Sequence, residues 1–446
     1  MATAVRAHPG VRRPETRALT TLIFPFHGAP NPRTRLYTTK SLYLRALTDL
    51  ADGAAWRGDD LERLERATAD WSGARHAVAV PMARVGIYLA VKALIRPGQN
   101  VVMSPYTIAD VVNMVVCAGG VPLFADIEPQ TCNIDAAEVE RLIDANTGLV
   151  MVTHFYGLAC DIERIADICR RRGVPLLEDS AQALGARVGG RPVGSFGTAG
   201  VFSFGLYKNV TSFLGGMVVT NDVALRDRIA AEVQGLPQQG ARQLLARIGK
   251  GLLADFVTYP VSFKAFFFWA LRYAYLHNIG AVNNQLKIDI NPQLLTTMPL
   301  RYLVRPTPLQ ARLALPQLER IDADTRLRIA AAELYHEGLK DLPELVLPPR
   351  RIDGSHLYTN YPVRYRDRDR LVRYLSRHLR DVQVSHHRNC AALPCFARWQ
   401  RDCPNADATS RTLIYLPTYP SYGLEEVRRT VAGIRQYFEE HEHAGA

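Results

Sequence analysis

Between residues 76 and 222 short apolar runs alternate with amphipathic stretches, and this alternation restricts the fold more than any other feature of the chain. Ala77–Pro81, Asn100–Met103, Val121–Phe124, Leu149–Thr153 and Pro175–Leu177 read as strands. Val85–Ile95, Ile108–Cys117, Asp135–Ile143 and Asp161–Arg172 repeat apolar residues at helical spacing, and Gly119-Gly120 stops one of these helices before its strand. Strands joined through helices pair in parallel, and a parallel sheet is covered on both faces. The expected fold class is therefore α/β, with a mostly parallel central sheet and helices on both faces. Ligands of such sheets sit at the carboxyl ends of the strands.

The rhythm breaks near residue 240. We expect an N-terminal arm over 1–57, a large α/β domain over 58–240, an apolar, aromatic-rich insert over 241–305, and a long helix with a small C-terminal α+β domain over 306–446. Within the insert, Leu252–Leu276 carries Phe263, Phe266, Phe267, Phe268, Trp269, Tyr273 and Tyr275. Pro260, Lys264 and Arg272 interrupt it, so it is too broken to span a membrane. It reads either as a packing or subunit-interface element or as an interfacial membrane contact. An amphipathic helix from Pro308 to about Lys340 follows, then a strand (Tyr358–Tyr365), a helix (Asp367–Leu379), a strand (Thr412–Leu416) and a final helix (Leu424–His441).

The net charge of +11 suits acidic ligands or a membrane surface. No basic run is interleaved with aromatics, so no nucleic-acid partner is expected. The seven cysteines are dispersed and odd in number, which fits a reduced, cytoplasmic setting, with peripheral membrane contact through 252–276 as a further reading. Cys390, Cys395 and Cys403 lie near His386 and His387 without zinc-site spacing, and no metal is expected. Met1–Thr20 lacks an apolar signal core and reads as a flexible tail.

The chain has 7 Lys against 47 Arg, so a lysine at the end of an apolar run stands out. Lys208 closes Val201-Phe202-Ser203-Phe204-Gly205-Leu206-Tyr207-Lys208, read as strand-like, with Gly215-Gly216 beyond. Unlike Arg, Lys can lose its proton near neutrality and form an imine. Asp179 follows an earlier strand and would meet Lys208 at the same rim. It reads either as a carboxylate that pairs with a cofactor or as a residue capping the next turn.

Glu178-Asp179-Ser180-Ala181-Gln182-Ala183, Gly194-Ser195-Phe196-Gly197, Phe202-Ser203-Phe204, Lys208-Asn209 and Gly215-Gly216 together resemble the DegT/DnrJ/EryC1/StrS aminotransferases. Asp126-Ile127, His154-Phe155-Tyr156-Gly157, Thr307-Pro308-Leu309-Gln310-Ala311 and Leu416-Pro417-Thr418-Tyr419-Pro420 extend the resemblance. It implies fold type I of the transferases that depend on pyridoxal 5'-phosphate (PLP), with the cofactor in the 58–240 domain. It also implies that Lys208 holds PLP as a Schiff base and shuttles the substrate proton, that Asp179 pairs with the pyridine nitrogen, that Gln182 lies near the ring, and that Ser203 donates to the phosphate.

Where the family has Ser-Gly-Thr opening a helix, this chain has Met82-Ala83-Arg84; Arg84 either grips the phosphate bidentately or is a surface residue at the helix start. Ile108 stands at the usual ring-stacking position, Leu214 replaces a Glu, and Leu303 replaces an Asn expected to reach a neighbouring subunit. The resemblance implies a homodimer and a ping-pong aminotransferase, taking an amino group from an amino acid (Glu or Gln) to a keto-sugar, nucleotide-linked. A keto-cyclitol acceptor, a lipid-linked or apolar ketone at a membrane, and a non-catalytic PLP-binding protein are the competing readings.

Overall fold

The computed structural model describes residues 28–280 and 291–442; the Met1–Thr20 segment lies outside them. Seven strands form the main sheet: β1 (His76–Val80), β2 (Asn100–Met103), β4 (Val121–Phe124), β5 (Thr147–Thr153), β6 (Leu176–Asp179), β9 (Ala199–Ser203) and β10 (Gly216–Thr220). Their order is β1-β10-β9-β6-β5-β2-β4. Only β10 runs against its neighbours, and every pair from β9 to β4 is parallel. The short β3 (Tyr106–Thr107) and the hairpin β7 (Arg187–Val188) and β8 (Arg191–Pro192) lie outside this sheet.

Period-2 alternation sends neighbouring residues of one strand to opposite faces. Val101 and Met103 pack with Val112 and Val115 of one helix layer, whereas Val102, Val150 and Val152 pack with Ile162, Ile165 and Ile168 of the other. The helices of these layers include α2 (Asp60–Ser72), α3 (Ala83–Leu94), α4 (Ala109–Cys117), α5 (Ala136–Leu142), α6 (Ile162–Arg172) and α7 (Val223–Gln234), whereas α1 (Lys40–Ala51) packs beside them on Phe213, Leu244 and Leu309. Burying both faces of the strands is what their near-continuous apolar runs require.

The apolar insert folds as α8 (Ala241–Thr258), a turn opened by Pro260, a π-helical stretch Phe263–Phe267, and α9 (Phe268–Leu276). The single long helix expected from Pro308 to Lys340 is instead two, α10 (Pro308–Leu318) and α11 (Ile321–Leu339). Pro316 offers no N–H to the carbonyl of Arg312, and α10 ends two residues later. The C-terminal part is a three-stranded antiparallel sheet, β11 (Tyr361–Arg364), β14 (Leu413–Leu416) and β12 (Gln383–Val384), packed on α11, α12 (Arg368–Arg377) and the last helix, Leu424–Glu442. A separate pairing of β13 (Arg388–Asn389) with β3 ties this part to the rim of the main sheet.

Arg312 of α10 holds the N-terminal helices in place. It donates to Asp60 (2.6 Å), to Asp49 and to the Ala54 carbonyl (2.9 Å), and both carboxylates are buried. Arg312→Leu leaves the buried Asp49 without its cation and Asp60 with only the longer contact from Arg63 (3.4 Å), and should cost roughly 3–5 kcal/mol. The expected readout is a clear drop in the denaturant midpoint of the unfolding transition.

Candidate active site

Asp179 ends β6, and Lys208 lies five positions past the end of β9, the strand paired parallel to it. The strand expected to run to Lys208 stops at Ser203: Phe204 to Lys208 turn away, with the Lys208 N–H bonded to the Gly205 carbonyl (3.1 Å). The turn brings the half-buried lysine over the carboxyl ends of β6 and β9. Asp179 is buried and accepts the Ala181 N–H (3.0 Å).

Lys208 and Asp179 sense each other's charge without forming an ion pair. Burial raises the Asp179 carboxyl above its ordinary range, opposed by the Ala181 N–H and by the charges of Lys208 and His154. Burial lowers the Lys208 ammonium; Asp179 opposes that lowering and Arg84 adds to it. An amine with a lowered pKa is a better nucleophile near neutrality.

The adjacent carboxylate is used differently. Glu178, fully buried, accepts the N–H groups of Gly194 (2.7 Å) and Gly197 (2.6 Å) and lies 3.1 Å from His154 Nε2. Gly194 has φ +87°, and a Cβ there would come within 2.7 Å of the Phe202 ring, so this turn requires glycine. Glu178 thus anchors the Gly194–Gly197 turn, leaving Asp179 as the carboxylate that faces the lysine.

The helix α3 opens beside this pair. Its N-cap residue Met82 makes no side-chain cap, so the first amides, those of Ala83 and Arg84, have no acceptor among the described residues. Gly216 lets the strand beneath approach: a Cβ on it would lie 2.6 Å from the Ala83 nitrogen. An uncapped helix start is a ready anion site. Ser203 Oγ accepts the Gly205 N–H (3.3 Å), so its own proton remains available to a ligand. Arg84 donates to Asp110 and lies 3.3 Å from the Tyr302 hydroxyl, two contacts with no signal in the sequence. Ile108 is half-buried as the N-cap residue of α4 and packs on the main core.

Gln182 meets a histidine whose only signal in the sequence is its place near three cysteines. Its Oε1 accepts the Tyr156 N–H (3.2 Å) and its Nε2 donates to His387 Nε2 (3.3 Å). His387 must then carry its proton on Nδ1, which donates to the Tyr415 oxygen (2.8 Å). Tyr415 donates to Tyr156 (3.3 Å), Tyr156 to Tyr106 (2.9 Å) and Tyr106 to Ser385 (2.7 Å), while Ser385 donates back to Tyr415 (2.8 Å). Every member has a partner, and burial keeps each neutral by lowering the pKa of His387 and raising those of the three tyrosines. The network forms because β13 pairs with β3, joining residues more than 200 positions apart. Cys390 and Cys403 are buried in the same region, and no group of three candidate metal ligands forms among the described residues.

The mostly parallel α/β sheet is that of the PLP-dependent transferases of fold type I, with Lys208 and Asp179 at its rim. The chain belongs to the DegT/DnrJ/EryC1/StrS aminotransferase family, whose model matches residues 39–255 and 270–435. It is therefore an aminotransferase, and PLP is its cofactor. It is 28% identical over 389 residues to the GDP-perosamine synthase of Caulobacter vibrioides, covering 85% of this chain and 90% of that one. It is also 26% identical over 388 residues (85% and 90%) to the pleiotropic regulatory protein of Geobacillus stearothermophilus. The solved structure of Helicobacter pylori PseC, an aminotransferase of pseudoaminic acid biosynthesis, superposes with a TM-score of 0.72 at 20% identity, covering 92% of this chain and 100% of that one.

Proposed function

We propose that this aminotransferase moves an amino group from glutamate or glutamine to a keto-sugar carried on a nucleoside diphosphate. The observation that carries the site assignment is the meeting of Lys208 and Asp179 at one sheet rim, each perturbed by burial and by the other. Bound PLP supplies an electron sink for the substrate carbon. In this reading Lys208 is the amine that holds the cofactor and moves the proton at the substrate carbon. Asp179 keeps a proton on the pyridine nitrogen by its charge.

Ala83 and Arg84 present the amides of the α3 start to the phosphate, and Ser203 donates its hydroxyl proton. Arg84, already held by Asp110, adds positive potential there rather than a free bidentate grip. Gln182, fixed by His387 and Tyr156, would border the ring, and Ile108 would offer it an aliphatic face. The sugar acceptor is supported by the names of GDP-perosamine synthase and PseC, and the nucleotide by the net charge of +11. A homodimer belongs to the same reading, by family membership.

Titrating the PLP-loaded protein with glutamate and glutamine should bleach its visible absorbance. Nucleoside-diphosphate keto-sugars should then restore it faster than free keto-sugars or keto-cyclitols. Restoration by a keto-cyclitol alone would replace the sugar reading. Absence of bleaching by every amino acid would remove the assigned half-reaction.

A further inference from the structure

The apolar insert exposes a surface that the catalytic reading does not use. On α8 the residues Leu244, Ile248 and Gly251 face inward, against Phe213 and Leu309, and Thr258 ends the same buried face. A second stripe on the same helix points outward at the same i, i+4, i+7, i+11 spacing: Leu245, Gly249, Leu252 and Phe256. Phe256 is 59% exposed and neighbouring Leu253 62%. The π-helical stretch and α9 continue the surface with Phe266 (70%) and Tyr273 (58%). The Phe256 and Phe267 rings, 5.5 Å apart, join the two helical pieces. A helix with two apolar stripes, one buried and one in water, is built to be covered on its outer side.

Charge indicates what covers it. From residue 236 to 280 the chain carries Arg242, Arg247, Lys250, Lys264 and Arg272 against a single carboxylate, Asp255. Asp255 is neutralised by Arg35, and no other ion pair involves the segment among the described residues. In a two-fold contact between copies this cationic segment, with Arg242 and Lys250 exposed, would face itself and repel, although Arg247 and Arg272 are bonded inward to Gln239 and to the Ser376 carbonyl. A bilayer bearing anionic headgroups offers the opposite charge together with an apolar layer for the aromatics. No helix among the described residues is long and apolar enough to cross a membrane, which leaves lying on the surface as the mode of contact. The aromatic turn also lies outside the family match, which stops at 255 and resumes at 270.

We propose that the outer face of α8 and the Phe263–Leu276 segment docks on an anionic lipid surface, independently of the substrate assigned above. The test is flotation of the full-length protein with phosphatidylcholine vesicles, with and without phosphatidylglycerol. Wild type should float only with the anionic vesicles, and added salt should release it. Phe256→Ser combined with Phe266→Ser should weaken binding by roughly tenfold or more, and Arg242→Glu with Lys250→Glu by a similar factor.

The buried stripe that seats Phe213 is untouched by these changes, so PLP absorbance and aminotransferase activity should match wild type. Failure of wild type to float with anionic vesicles, or equal flotation of wild type and variants, would overturn the proposal. So would dissociation of a wild-type oligomer by the two Phe→Ser changes in sedimentation velocity, which would make the face a contact between copies.

Discussion

Lys208→Ala leaves the protein folded, with no covalently held PLP and with turnover lower by roughly 10⁴-fold. The size of the loss follows from two tasks resting on one amine, holding the cofactor and moving a proton. Stability should not suffer, because the half-buried ammonium makes no ion pair with Asp179 and burial already disfavours its charge. A methyl in its place removes that unfavourable term. The check is gel filtration of PLP-loaded protein, followed by borohydride reduction and mass measurement. Wild type should retain one cofactor mass and the variant none, with similar thermal midpoints. A reduced adduct that persists in the variant would move the anchoring lysine elsewhere.

Asp179→Asn separates an electronic role from a structural one. The asparagine oxygen can still accept the Ala181 N–H, so the turn after β6 survives. The amide carries no charge to hold a proton on the pyridine nitrogen, and turnover should fall by roughly 10²–10³-fold with PLP still bound. Stability should change in the opposite sense. Burial raises the folded-state pKa of Asp179 above its unfolded value, so the folded protein holds this proton more tightly. That contribution is present at low pH and is lost as the pH rises through the raised pKa. At neutral pH the ionised Asp179 therefore costs stability, and the cofactor-free asparagine variant should melt at or above wild type, with the difference closing in acid. A variant that melts well below wild type at neutral pH would mark Asp179 as a structural cap.

Strand and helix identity over 76–222 was readable from the sequence because parallel strands buried on both faces repeat in a way that loops and surface helices do not. β2 and β4 match the expected limits, β1, β5 and β6 differ by a residue or two at their ends, and β3, β7, β8 and β10 had not been expected as strands. Periodicity misleads where a local feature competes with it. The Phe204–Lys208 run is apolar but turns away, because Gly205 and the bonds from Gly205 to Ser203 and from Lys208 to Gly205 close it into a loop. The Pro308–Lys340 helix breaks after Pro316 for lack of one N–H. The amine and the carboxylate were legible as residue types with unusual placement. Their supports were not: Arg84 with Asp110, and Gln182 with His387, are bonded across 26 and 205 positions.

The sequence by itself determined the sheet class and the family motifs and singled out the two residues proposed for the chemistry, because those depend on local periodicity and on what a side chain can do. The tertiary structure alone decided how the two adjacent carboxylates are held. Glu178 and Asp179 are neighbours in sequence, yet strand alternation turns one into the Gly194–Gly197 loop and the other toward Lys208. It also decided that a histidine and three tyrosines from both parts of the chain close around Gln182, since only the pairing of β3 with β13 brings them within hydrogen-bond reach. Burial then sets their charge, and burial is a property of the packed fold that no single position records.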